Sequence, residues 1–187
     1  MMVKICGITR REDAQAAVDA GANAIGFVFV KTSPRYIAPE RADVLGRDLP
    51  VWKVGVFVDE AASFVENAAR EANLDVIQLY GGEAPLGSRV WRAFRVKDGI
   101  DHALAQTGEA VLLDGPANGF GFDWNEARDV AARVIVAGGL NATNVAEAIR
   151  VARPWGVDAS SGLETSPGIK DHEKVVQFVK AAREAVQ

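Results

Sequence analysis

The chain has one cysteine, Cys6, and two histidines among its 187 residues. A single thiol excludes an intramolecular disulfide, and the sequence contains no Cys/His zinc framework. Basic residues are also scarce. Lys and Arg number 21 against 25 Asp and Glu, for a net charge of -4 and an isoelectric point near 5.3. That balance argues against a basic surface tracking a phosphate backbone, so nucleic acid is not an expected partner. Long apolar runs are missing too. The longest, residues 24–30, falls far short of the roughly 20 residues that span a bilayer, so no membrane partner is expected. The first residues enter a strand-like run with no apolar signal-peptide core. A reducing, cytoplasmic setting is the expectation.

What is present is ordinary for a globular protein: 49% hydrophobic and 25% charged residues, in a length that suits one domain with a sizeable core. Along the chain a short apolar strand is followed, again and again, by a helix. Strands are expected at about 3–6, 24–29, 52–58, 76–79, 90–96, 110–114, 134–137 and 157–159. Helices are expected at about 12–20, from 39, at 61–72, near 100–106, from 123 or 124, at 143–152 and at 172–185. Thr9 and Glu12 have the spacing of a capping box for the first helix. Strands that are apolar with little alternation are those buried on both faces. Eight of them predict a single (β/α)8 TIM barrel over residues 1–187, with trimmed helices after strands four and five. A doubly wound, flavodoxin-like sheet is the alternative, but its usual five strands leave several segments unplaced.

In such a barrel, chemistry gathers at the carboxyl ends of the strands. That rule selects Cys6, Arg35, Asp59, Tyr80, Asp114, Gly138-Gly139, Asp158 and Ser160-Ser161-Gly162. Alternate strand residues face opposite sides. Lys4 and Cys6 therefore share the interior face of strand one, and Ala110, Leu112 and Asp114 that of strand six. Each residue also has a plainer reading. Cys6 can be a small buried hydrophobe, Asp114-Gly115-Pro116 a turn, and Arg35 a surface cation. The loops after strands seven and eight carry the firmer signal. Glycines there let backbone amides approach an anion, and barrel phosphate sites are commonly built from these two loops. A phosphorylated small molecule is the expected ligand.

Lys4-Ile5-Cys6-Gly7-Ile8-Thr9 resembles the opening signature of the phosphoribosylanthranilate isomerase family. Further matches follow in order: Gly26-Phe27-Val28-Phe29, Ser33-Pro34-Arg35-Tyr36, Val54-Gly55-Val56-Phe57-Val58, Leu112-Leu113-Asp114, Gly138-Gly139-Leu140, and Asp158 through Lys170-Asp171. The resemblance implies an Amadori rearrangement in tryptophan biosynthesis, with Asp114 as general acid and Cys6 as general base. Arg35 would hold the anthranilate carboxylate. Gly138, Gly139, Ser160, Ser161 and Gly162 would hold the phosphate. Asp158 would touch the ribose or brace the strand end. No cofactor is implied, because the substrate's iminium is its own electron sink. The chain would act as a monomer or homodimer. Two departures stand out: Tyr80 replaces a common histidine, and the loop over residues 116–121 lacks the usual Gly-Gly-Thr-Gly-like run. The rivals are the related histidine-pathway isomerase and a non-catalytic sugar-phosphate-binding barrel.

Overall fold

A computed structural model describes residues 1–116, 123–130 and 133–186. Eight parallel strands close into a barrel in sequence order, the first pairing with the eighth. They are β1 (Met2–Cys6), β2 (Ala24–Val28), β3 (Trp52–Val58), β4 (Val76–Tyr80), β5 (Val90–Arg95), β6 (Ala110–Asp114), β7 (Val134–Ala137) and β8 (Gly156–Ala159). The expected strands all form, within a residue or so at each end. Around them lie α1 (Arg11–Asp19), α2 (Pro39–Gly46), α3 (Ala62–Glu71), α4 (His102–Ala105), α5 (Val145–Ala152) and α6 (His172–Glu184).

Trimming occurs where the sequence predicts it. No helix lies between β4 and β5, and α4 is a single turn capped by Asp101. After β6 the described residues hold only a 3₁₀ stretch, Trp124–Asp129.

Side-chain alternation divides the apolar residues into two cores. Val3, Ile5, Ile25, Phe27, Ile77, Leu79, Val111 and Leu113 point outward under the helices. Met2, Ala24, Val54, Val76, Trp91, Ala110, Leu112 and Ile135 fill the barrel. Each large apolar side chain so buried contributes about 1.5–3 kcal/mol. Trp91 packs against Trp52 and Trp155 at centroid distances of 6.2 and 5.9 Å. Arg89 and Arg133 lie over those two flanking rings. With the N-terminal end plugged, the carboxyl ends of the strands are left for chemistry.

One local expectation fails. The capping box does not form: α1 begins at Arg11 with Arg10 at the cap position, so Thr9 stands one residue too early, its hydroxyl donating to the Gly168 carbonyl, and Glu12 pairs with Arg10. After β8 comes one 3₁₀ turn, Ser161–Leu163. It leads into an antiparallel pair, β9 (Glu164–Ser166) and β10 (Ile169–Lys170).

Candidate active site

A cavity of about 570 Å³ opens at the carboxyl ends of the strands. Its wall includes Cys6, Arg35, Asp114, Gly138, Gly139, Asp158, Ser160 and Ser161. Of the residues to which the resemblance gives a role, only Gly162 is off the wall. A Cβ there would lie 2.4 Å from the Leu140 carbonyl oxygen, so its missing side chain lets the two phosphate-loop candidates pack together. Asp59 lies in a neighbouring depression with Tyr80 and Arg95. The loop residues 117–122 lie outside the described residues.

Cys6 ends β1 on the interior face and is 7% exposed. Gly26 stands beside it in register on β2. Any Cβ at Gly26 would come within 2.7 Å of the Cys6 sulfur, so the glycine makes room for it. One residue pair deeper, Lys4 Nζ donates to Asp158 Oδ2 at 2.9 Å, with Lys4 wholly buried. This is the bracing role for Asp158, across the β1–β8 seam. Its other oxygen, Oδ1, is buried without a partner among the described residues, as is Gln78 Oε1. Both residues line the cavity. Unpaired buried acceptors carry a desolvation cost that a ligand donor can relieve.

The electrostatics answer the sequence expectation only in part. Burial pushes the Asp114 carboxyl above its ordinary value, and repulsion from Asp158 adds to this. The Tyr80 hydroxyl, donating to Asp114 Oδ2 at 3.0 Å, pulls the other way, as do Lys4 and Arg95. A raised carboxyl suits an acid. For Cys6, however, the base role that the resemblance implies calls for a thiolate. Burial outweighs the attraction of Lys4 and Lys170, with Asp158 opposing, so the thiol stands above its ordinary value. Removing the sulfur from water disfavours its charged form more than two ammonium groups favour it.

Arg35 is no free surface cation. Its Nε and Nη2 donate to the two carboxylate oxygens of Glu164 at 2.8 and 2.6 Å. Glu164 also accepts from buried Lys170 Nζ at 2.8 Å, and Lys170 donates to the Ser160 carbonyl at 3.1 Å. The β9–β10 pair thereby fastens Arg35 to the phosphate-loop candidate after β8. At the top of β7, Gly138 and Gly139 hold φ of +91° and +64°. A Cβ on Gly138 would fall 2.3–2.5 Å from the Gly115 backbone, so the pair makes a tight turn where it lines the cavity.

The sequence reading did not single out Gln78, Arg95, Lys97, Glu164 or Lys170. Gln78 had a usable signal. It shares interior parity with Val76, and a polar residue on the inner face of an apolar strand calls for a partner.

The model of the N-(5'phosphoribosyl)anthranilate (PRA) isomerase family matches residues 3–181. The chain belongs to that family. The isomerase of Solibacter usitatus (strain Ellin6076) is 46% identical over 198 residues, covering 100% of this chain and 99% of the relative. The crystal structure of phosphoribosyl anthranilate isomerase from Thermotoga maritima superposes with a TM-score of 0.89 at 39% identity, over 98% of this chain and 99% of that one. Another family member, crystallised in complex with reduced 1-(o-carboxyphenylamino)-1-deoxyribulose 5-phosphate, has a TM-score of 0.86 at 40% identity over 98% and 99% of the two chains.

Proposed function

We propose that the chain isomerises N-(5'-phosphoribosyl)anthranilate to 1-(2-carboxyphenylamino)-1-deoxyribulose 5-phosphate with Asp114 as general acid and Cys6 as general base. The activity, a step of tryptophan biosynthesis, is that of its family. The observation that carries the residue assignment is the placement of Cys6 and Asp114 on one cavity, at the ends of β1 and β6.

In the first step Asp114 gives its proton to the ribose ring oxygen. The C1'–O bond breaks with its electron pair going to that oxygen, and the anilino nitrogen lone pair forms C1'=N⁺. In the second, Cys6 Sγ takes the C2' proton. The C–H electrons form C1'=C2', and the C=N pair returns to nitrogen. The enolamine then gains a proton at C1' and loses one from the C2' hydroxyl, which gives the ketone. Atoms and electrons balance within the substrate, so no oxidant or reductant enters.

The acid must be protonated while the base is ionised. A pair holding a single proton meets this when the proton moves from sulfur to carboxylate, with no change of net charge. Each unit of pKa difference between them costs about 1.4 kcal/mol, and the raised Asp114 narrows that gap. Gly138 and Gly139, with Ser160 and Ser161 opposite, receive the phosphate, and Gly162 packs the loop that carries the serines. Arg35, held on one edge by Glu164, offers the other edge of its guanidinium to the anthranilate carboxylate. Asp158 Oδ1 and the Gln78 amide address ribose hydroxyls. The lone reduced thiol suits a cytoplasmic enzyme.

The test follows decay of substrate fluorescence, with the substrate generated in place, for Cys6→Ser and Asp114→Asn. Each variant is expected to lose roughly 10²–10⁴-fold in kcat while still binding the reduced product analogue. Turnover by Cys6→Ser at the parent rate would remove Cys6 from the mechanism.

A further inference from the structure

Tyr80 ends β4 on the interior face, and Asp114 ends β6. Between them runs β5, whose Arg95 stands in register with Asp114. The phenol reaches across that strand, and its hydroxyl donates to Asp114 Oδ2 at 3.0 Å. The Arg95 guanidinium lies 5.1 Å from the centroid of the Tyr80 ring. All three residues line the cavity.

We propose that Tyr80 is a positioning residue for the catalytic acid: it engages Asp114 Oδ2, leaving Oδ1 to face the substrate, while Arg95 holds the ring in place. The inference rests on the reading of Asp114 as the acid. A carboxyl group at the end of a short side chain rotates about χ2 with little preference, and proton transfer demands a set direction and distance. Engaging one oxygen removes that freedom. The hydroxyl is a dependable donor, because burial and repulsion from Asp114, Asp158 and Cys6 keep the phenol well above its ordinary pKa. It remains protonated wherever the enzyme works.

The other charged groups facing Asp114 are Lys4, Asp158 and Arg95. None changes when only the Tyr80 oxygen is deleted. A hydrogen bond donated to a carboxylate stabilises the charged form, so its loss raises the pKa of Asp114.

Tyr80→Phe keeps the ring, its packing and the cation above it. Expected in that variant is a net fall in kcat of about tenfold, because the lost orientation of the acid outweighs the narrower gap to the thiol that its higher pKa gives, with KM within about twofold of the parent. The Asp114 titration, followed by carbon NMR of the carboxyl group against Asp114→Asn, moves up by about one pH unit. The limb of the kcat/KM profile that coincides with it moves by the same amount. An unmoved Asp114 titration, an unchanged kcat, or a loss confined to KM would each overturn the proposal. Near-parental turnover in Asp114→Asn would overturn it by a different route, by removing the acid itself.

Discussion

Replacing Lys4 with Met probes the fold and the chemistry together. Lys4 is wholly buried, Asp158 is 6% exposed, and their 2.9 Å bond joins residues in register on β1 and β8. The side chain of Met is similar in length and leaves no void, so the loss is that of the ammonium. Removing one partner of a buried ion pair costs about 3–5 kcal/mol, because the other charge stays buried unpaired. Against a typical domain stability of about 5–15 kcal/mol that is a large fraction. At about 2–4 °C per kcal/mol for a chain of this size, Tm falls by about 6–20 °C.

The sign of the pH dependence is also set. Burial alone would lower the Lys4 pKa, but Asp158 and then Cys6 hold it above 10.5. A raised ammonium stabilises the fold fully below that ordinary value and ceases to do so as pH rises through the folded value. The gap between parent and Lys4→Met is therefore constant through neutral pH and closes only above pH 10.5. Lys4 is also the largest influence lowering the Cys6 pKa, so the variant has a thiol still harder to ionise and a lower kcat. Pairing the change with Asp158→Leu removes the orphaned charge. The double variant should regain most of the stability, since a buried pair and an apolar pair are often equivalent, but not the turnover. Thermal and urea unfolding with kcat measured on the same samples tests this. A double variant whose losses equal the sum of the single ones would refute the reasoning, because it would mean the two charges are not coupled.

Gly138→Ala places a Cβ against the Gly115 backbone at a φ of +91°. The left-handed conformation and the overlap together cost about 2–5 kcal/mol; turnover should fall as well, because Gly115 follows Asp114, and an unaltered Tm would contradict the packing described. Glu164→Gln weakens the support of Arg35 and Lys170 by about 1.5–3 kcal/mol, and substrate KM should rise more than kcat falls. Burial alone would raise the Glu164 carboxyl, yet Arg35 and Lys170 outweigh it and hold the group below 4.5. Its stabilisation is present above 4.5 and is lost as pH falls through the folded value, so acid unfolding of the Gln variant should show a correspondingly shallower pH dependence.

The architecture was legible in the residues because it rests on local geometry. Eight apolar runs spaced by helical segments dictate parallel strands buried on both faces. Strand alternation alone directs Lys4, Cys6 and Asp114 inward. The order of the strands then brings the ends of β1, β6, β7 and β8 to one mouth. What stayed hidden lies in contacts between residues far apart in the chain, formed only when the barrel closes. Thr9 stands outside the cap of its own helix and donates to the Gly168 carbonyl across 159 residues. Arg35 meets Glu164 across 129 residues, on a hairpin that no sequence pattern announced. Tyr80, visible as a departure from the family pattern, acquires its partner only when the sheet sets the ends of β4 and β6 on either side of β5. The ionisation of Cys6 was the furthest from sight. Its neighbours' charges can be read from the sequence, but the balance between their attraction and the loss of water depends on how tightly the folded barrel closes around the sulfur.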